Sequence, residues 1–242
     1  MAPFIRRYAP EQRAAKYPVL LLLHGCAGDF PHLDHWARLL AAEGCHVYTI
    51  DSLTPRGIRP WQAHCLICTG LYLQGLERSR DISAALSLIC RDNEADLTRL
   101  GIIGWSHGAW TVMEWLHDAT RTHLSEGVVA QPAALIFVYP YCGTASVIHQ
   151  QSWPSTAPVL IFIAERDKTV SNVPTRHLAE NLEHLGVPVS LITMPGAKHA
   201  FDLFYKKSFD PEQTLNLKSR VLHFLGQRLS ADQGVDPSSG QV

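Results

Sequence analysis

Residues 102–109 read Ile102-Ile103-Gly104-Trp105-Ser106-His107-Gly108-Ala109, an apolar run that breaks at Gly-x-Ser-x-Gly. A buried strand that stops at such a turn holds its serine hydroxyl clear of the sheet. The flanking glycines are needed because side chains there would collide with the tightly folded backbone. The pentapeptide acquires meaning from its surroundings. Residues 100–104 read as the strand before the turn, and residues 109–116 read as the helix after it.

The same alternation runs along the rest of the chain. Residues 19–23 form a fully apolar run that ends at His24-Gly25, the pattern of a buried strand. A helix carrying Trp36, Leu39 and Leu40, capped by Asp34 and closed by Gly44, is expected next, followed by a strand over 46–50. Residues 51–75 are rich in Pro and Gly and read as one long loop. Ile82, Ala85, Leu86 and Ile89 give an amphipathic helix over 78–90. Strands follow at 134–139, 159–164 and 189–194, with a helix over 175–185 ended by Gly186. A last helix opens at Asp210-Pro211 and turns Leu217, Val221, Phe224 and Leu225 inward. This order predicts an α/β fold, a mainly parallel sheet with helices on both faces. One domain over residues 1–229 is expected, with a small, polar, disordered tail at 230–242. The short span between the strands at 134–139 and 159–164 argues against a large cap and for an open pocket.

Composition narrows the function. The 242 residues are 46% hydrophobic and 18% charged, with net charge −1 and a pI near 6.9. No broad basic surface favours nucleic acid or an anionic membrane. No apolar stretch, 19–23 included, is long enough to span a bilayer. The first residues lack an apolar core of signal-peptide length, so a cytoplasmic protein is expected, a leader removed beforehand being the alternative. Oligomeric state is not legible.

Six cysteines are scattered along the chain. Cys45 and Cys90 adjoin apolar segments and read as inert core thiols. Cys65-Leu-Ile-Cys68 has the spacing of a metal or redox pair, but no second ligand pair follows, and no metal is expected. A Cys65–Cys68 or Cys26–Cys65 disulfide would suit an oxidising compartment, and free loop thiols are the plainer reading. His117, Asp118 and His123 imitate a metal cluster at a helix end and are likewise read as surface groups. His32, His35, His177, His184 and His223 are read in the same way.

Functional residues of such a sheet gather at the carboxyl ends of its strands. Ser106 follows the strand at 100–104, Asp167 follows 159–164, and His199 follows 189–194. The order Ser, Asp, His is that of the α/β-hydrolases. A serine hydroxyl is a poor nucleophile until an imidazole takes its proton, and neutral His199 is the expected base. Asp167 would hold the other ring nitrogen and stabilise the imidazolium that forms. An oxyanion hole completes the set. Its donors are expected to be the backbone N–H of His107 and that of Cys26, in the turn His24-Gly25-Cys26-Ala27-Gly28.

From residue 19 to residue 229 the chain resembles the dienelactone hydrolase family. The resemblance rests on Leu-His-Gly-Cys-Ala-Gly at 23–28, Gly-Trp-Ser-His-Gly-Ala at 104–109, Ala-Glu-Arg-Asp at 164–167 and Gly-Ala-Lys-His-Ala-Phe at 196–201. Asp51-Ser-Leu-Thr-Pro-Arg-Gly57 is similar to a Pro-Arg-Gly loop of some members. It implies the α/β-hydrolase fold and a hydrolase without cofactor that acts on a small ester or lactone. One departure stands out: members acting on dienelactone itself usually carry Cys at the nucleophile position, where this chain has Ser106. That favours an ordinary carboxylesterase over any named lactone.

Arg56 is the candidate for binding a substrate carboxylate, the alternative being a pair with a surface acid. Trp105, with Trp61 and Tyr72, is a candidate pocket wall. Two other functions remain open on the sequence: a non-catalytic binding protein of this fold, and a serine peptidase, thioesterase or acyltransferase.

Overall fold

The apolar run at 19–23 lies within a strand that is buried on both faces. In a computed structural model of the chain, residues 4–12, 14–28, 30–68, 71–118, 123–124, 128–129, 131–146 and 152–230 are described. The expected tail beyond residue 230 lies outside them. The elements in chain order are β1 (Phe4–Tyr8), β2 (Tyr17–Leu23), α1 (Phe30–Ala42), β3 (His46–Asp51), a 3-10 turn (Thr54–Arg56), α2 (Pro60–Leu66), α3 (Gly75–Ile89), β4 (Ala95–Trp105) and α4 (His107–His117). There follow β5 (His123–Leu124), β6 (Val128–Val129), β7 (Ala134–Val138), β8 (Val159–Ala164), α5 (Asn172–His184), β9 (Val189–Met194) and α6 (Pro211–Leu229).

Seven strands form one sheet in the order β1-β3-β2-β4-β7-β8-β9, and β5 pairs with β6 apart from it. All neighbours in the large sheet run parallel except the edge strand β1, which is antiparallel to β3. Side chains alternate across β2. Val19, Leu21 and Leu23 pack with Ile82, Leu86, Val112 and Leu178 on the face covered by α3, α4 and α5. Leu20 and Leu22 pack with Trp36, Leu40, Val221 and Leu225 on the face covered by α1 and α6. Continuous apolar strands are what a sheet buried on both sides requires. At ~25 cal/mol per Å² of apolar surface removed from water, these two layers carry most of the stabilisation.

Three local expectations change. α1 begins at Phe30, which places Asp34 inside it as no cap at all. The Asp34 carboxylate instead accepts from Tyr8 Oη at 2.8 Å and Arg38 Nε at 2.9 Å. The stretch 51–75 is no simple loop: it holds the 3-10 turn and α2, packed around Leu53, Ala63, Ile67 and Leu73. α5 starts at Asn172, three residues early, because Ser171 caps it by accepting from Val173 N at 3.3 Å. The expected start of α6 holds, with Asp210 accepting from Gln213 N at 3.0 Å ahead of Pro211. No helix among the described residues is long and apolar enough to cross a membrane.

Candidate active site

The turn between β4 and α4 is strained at one residue. Ser106 has φ 52° and ψ −113°, a conformation unusual for a side chain larger than glycine. Ser106 N donates to Val138 O at 2.9 Å, and Ser106 O accepts from Trp110 N and Tyr141 N, both at 3.2 Å. The glycines are obligatory for a measurable reason. A Cβ on Gly108 would fall 2.3 Å from the Leu23 carbonyl oxygen, and one on Gly104 would fall 2.5 Å from Ala109 N.

Asp167 and His199 meet from the loops after β8 and β9, with His199 Nδ1 2.7 Å from Asp167 Oδ2. The Asp167 side chain has no exposed surface, and its Oδ1 accepts from the amides of Thr169 (2.8 Å) and Val170 (3.0 Å). An ionised carboxylate only accepts, so Nδ1–H of His199 is the donor in this contact, and in a neutral ring of that tautomer the lone pair falls on Nε2. Ser106 and His199 line one cavity of about 340 Å³, a size suited to a small ligand.

The cavity is walled by residues of both predicted loops and by several that the sequence did not single out. Cys26 and His107 line it. His107 is the first residue of α4, where backbone N–H groups have no partner within the helix. Trp105 is buried and lines it too, its indole Nε1 donating to Asp202 Oδ2 at 2.9 Å. Ile67, Trp110, Tyr139 and Leu203 supply further apolar wall, and Lys206 lies in the lining as a cation. Trp61 and Tyr72 do not contribute: they are exposed and absent from the lining.

Arg56 is also outside the lining, and its candidate role as a carboxylate anchor gives way to a structural one. Its guanidinium forks onto Asp81 at 2.8 and 2.9 Å and donates to Ser52 O at 2.8 Å. The carboxylate it binds belongs to the protein. Cys26 forms a disulfide with Cys68, and Cys65, which is exposed, takes no part in it. Both expected pairings, Cys65–Cys68 and Cys26–Cys65, are therefore corrected, as is the reading of free loop thiols. α2 ends at Leu66, and Cys68, two residues beyond that end, is the cysteine that reaches the loop after β2.

His32 is another correction. It is buried rather than on the surface, 2.7 Å from Asp202 Oδ2, and it lines the cavity. Tyr139 Oη donates to the other oxygen, Asp202 Oδ1, at 2.7 Å. These three donors hold the Asp202 carboxyl below the usual carboxylate range against the opposing effect of its burial. Nothing local in the sequence signals this network, whose members come from α1, β4, the end of β7 and the loop after β9.

A protein-family model described as the dienelactone hydrolase family matches residues 5–229. The chain belongs to the dienelactone hydrolase family. No curated protein matches it by sequence. Among solved structures, a protein of Klebsiella pneumoniae assigned as a dienelactone hydrolase superposes with a TM-score of 0.73 at 18% identity, covering 92% of each chain. A butyrate-bound esterase of Thermogutta terrifontis gives 0.69 at 17% identity, over 95% of this chain and 91% of that one. A dienelactone hydrolase-like promiscuous phosphotriesterase from metagenomic libraries gives 0.72 at 14% identity, over 94% and 93%. These likenesses establish the α/β-hydrolase architecture. As a dienelactone hydrolase family member, the chain is an ester-bond hydrolase.

Proposed function

We propose that the protein is a serine hydrolase cleaving a small carboxylic ester or lactone through an acyl-enzyme on Ser106. The observation that carries this reading is the 2.7 Å contact between Asp167 and His199 Nδ1, made on the rim of the cavity that Ser106 also lines. His199 Nε2 takes the Ser106 proton as Oγ attacks the substrate carbonyl, and Asp167 stabilises the resulting imidazolium. The negative oxygen is held by the N–H groups of Cys26 and His107. His199 then returns the proton to the leaving alcohol, or to the ring oxygen of an opened lactone. A water deprotonated by the same imidazole releases the acid. These steps need no cofactor.

The esterase of Thermogutta terrifontis bound to butyrate supports a short acyl group, which a cavity of this size accepts. Pairing of Cys26 with Cys68 in a disulfide favours an oxidising compartment over the cytoplasm. Ser106→Ala is expected to abolish p-nitrophenyl acetate hydrolysis and labelling by a fluorophosphonate probe, with the fold retained by circular dichroism. Full activity in that variant would refute the nucleophile, and an unlabelled wild-type protein would return the binding-protein reading.

A further inference from the structure

The oxyanion loop and the nucleophile turn are tied together behind the cavity by one buried hydrogen-bonded chain. His24 Nδ1 lies 2.5 Å from the Gly25 carbonyl oxygen, and His24 Nε2 lies 3.3 Å from Ser52 N. Ser52 Oγ accepts from Arg78 Nε at 2.9 Å, and Arg78 Nη1 reaches His107 Nδ1 at 3.1 Å. All four side chains are buried.

The proton positions follow from donor chemistry. A guanidinium only donates, so His107 Nδ1 accepts. A backbone N–H only donates, so His24 Nε2 accepts and its Nδ1 carries the proton given to Gly25 O. Both rings are neutral, and burial together with the Arg78 charge pushes both below the ordinary histidine range, His107 to about 3.

Peptide geometry links this chain to catalysis. The Gly25 C=O and the Cys26 N–H belong to one planar trans unit and point in opposite directions. An imidazole that grips the carbonyl oxygen therefore decides where the N–H points. At the other end of the chain, His107 carries the second donor N–H, and its side chain is held by Arg78. Arg78 has no hydrogen-bonded carboxylate among the described residues, since Asp81 is taken by Arg56, and its Nη2 has no partner among them either. A fully buried cation so poorly compensated is expensive for the fold alone. Its hydrogen bonds go instead to the Ser52 hydroxyl and to His107, a residue of the cavity lining.

We propose that His24 and Arg78 are positioning residues that set the two oxyanion donors, the N–H groups of Cys26 and His107, as one rigid unit. This rests on the reading of Ser106 as an acyl-enzyme nucleophile.

The test compares wild type with His24→Leu, His24→Asn, Arg78→Lys and Ser52→Ala, reading kcat and KM for p-nitrophenyl acetate, inhibition by a trifluoromethyl ketone, and Tm. The ketone binds as a tetrahedral adduct and so reports the hole directly. His24→Leu and Arg78→Lys are expected to lower kcat by about 10- to 100-fold with KM little changed, and to weaken the ketone by a like factor. His24→Asn, whose amide can donate to Gly25 O, is expected to recover most of the loss. Ser52→Ala removes one oxygen without opening a large cavity, and it is expected to lower kcat several-fold even if the other variants fold poorly. The proposal is overturned if kcat and ketone affinity stay within about twofold of wild type in Ser52→Ala and in whichever other variants fold. It is also overturned if Asn at position 24 behaves as Leu does. Activity that survives Ser106→Ala would instead remove the reading on which the proposal rests, so the two failures are distinguishable.

Discussion

Cys26, in the loop after β2, and Cys68, just past α2, are joined by a disulfide across a sequence separation of 42. The bond clips the small cluster of Leu53, Ala63, Ile67 and Leu73 against the loop after β2, and Ile67 and Cys68 both line the cavity. Closing a loop of that length restricts the unfolded chain by about 4 kcal/mol in the chain-entropy account. Reduction with dithiothreitol, or the double change Cys26→Ala and Cys68→Ala, is therefore expected to lower Tm by roughly 10 °C. It should also lower kcat, because the loop that presents Cys26 N–H loses its anchor. Differential scanning fluorimetry and ester hydrolysis with and without reductant check this, and a reduced protein with unchanged Tm and kcat would remove the anchoring role.

Acid should destabilise the protein through His24 and His107. In the unfolded chain both rings gain a proton below about 6.5, whereas in the fold His107 resists protonation until about 3 and His24 is also held low. Between those values the unfolded state binds more protons, so stability falls as pH falls through that window. Urea unfolding from pH 7 to pH 4 should show this loss. His107→Gln should flatten the dependence by up to about 1.4 kcal/mol per pH unit. An unaltered slope in the variant would mean that His107 is not neutral in the fold.

Arg56 is expected to matter to stability and not to substrate charge. Removing it leaves Asp81, which is 6% exposed, without its bidentate partner. Arg56→Met should therefore destabilise by about 3 kcal/mol in urea unfolding. The ratio of KM values for a neutral ester and an analogue bearing a carboxylate should not change. A selective rise in KM for the anionic ester would restore Arg56 to substrate binding.

What was legible in the sequence is what depends on neighbours in the chain. Apolar runs ending at Gly-x-Ser-x-Gly, at Ala164 and at Met194 announce strands whose ends carry Ser106, Asp167 and His199, and parallel pairing brings those ends together. What was not legible depends on partners far apart. Arg56 and Asp81 are 25 residues apart, and His32 and Asp202 are 170 apart. Cys65 and Cys68 differ by less than one helical turn, so spacing alone cannot tell which of them faces Cys26. β1 carries no such signal, because an exposed antiparallel edge strand, Phe-Ile-Arg-Arg-Tyr, needs no apolar run.

Tyr139 offers a test of how His199 is held. Its ring lies against the imidazole with centroids 4.7 Å apart, its backbone sits at φ 37°, and its hydroxyl is tied to Asp202 at 2.7 Å. A left-handed tyrosine persists only where its surroundings fix it. Here the fixing contacts are the Asp202 carboxylate below and the Tyr139 N to Phe162 O bond of 2.7 Å behind. Two functions can be separated by two variants. Tyr139→Phe keeps the ring on His199 and deprives Asp202 of one donor, which should destabilise by about 1–3 kcal/mol and change kcat by only a few-fold. Tyr139→Ala removes the surface against which the imidazole rests. Proton transfer depends on sub-ångström placement, so kcat should fall by about 10- to 100-fold, with fluorophosphonate labelling of Ser106 slowed by a similar factor. If Tyr139→Ala folds and labels as fast as wild type, the Asp167 contact alone orients His199, and the tyrosine serves only to close the cavity wall.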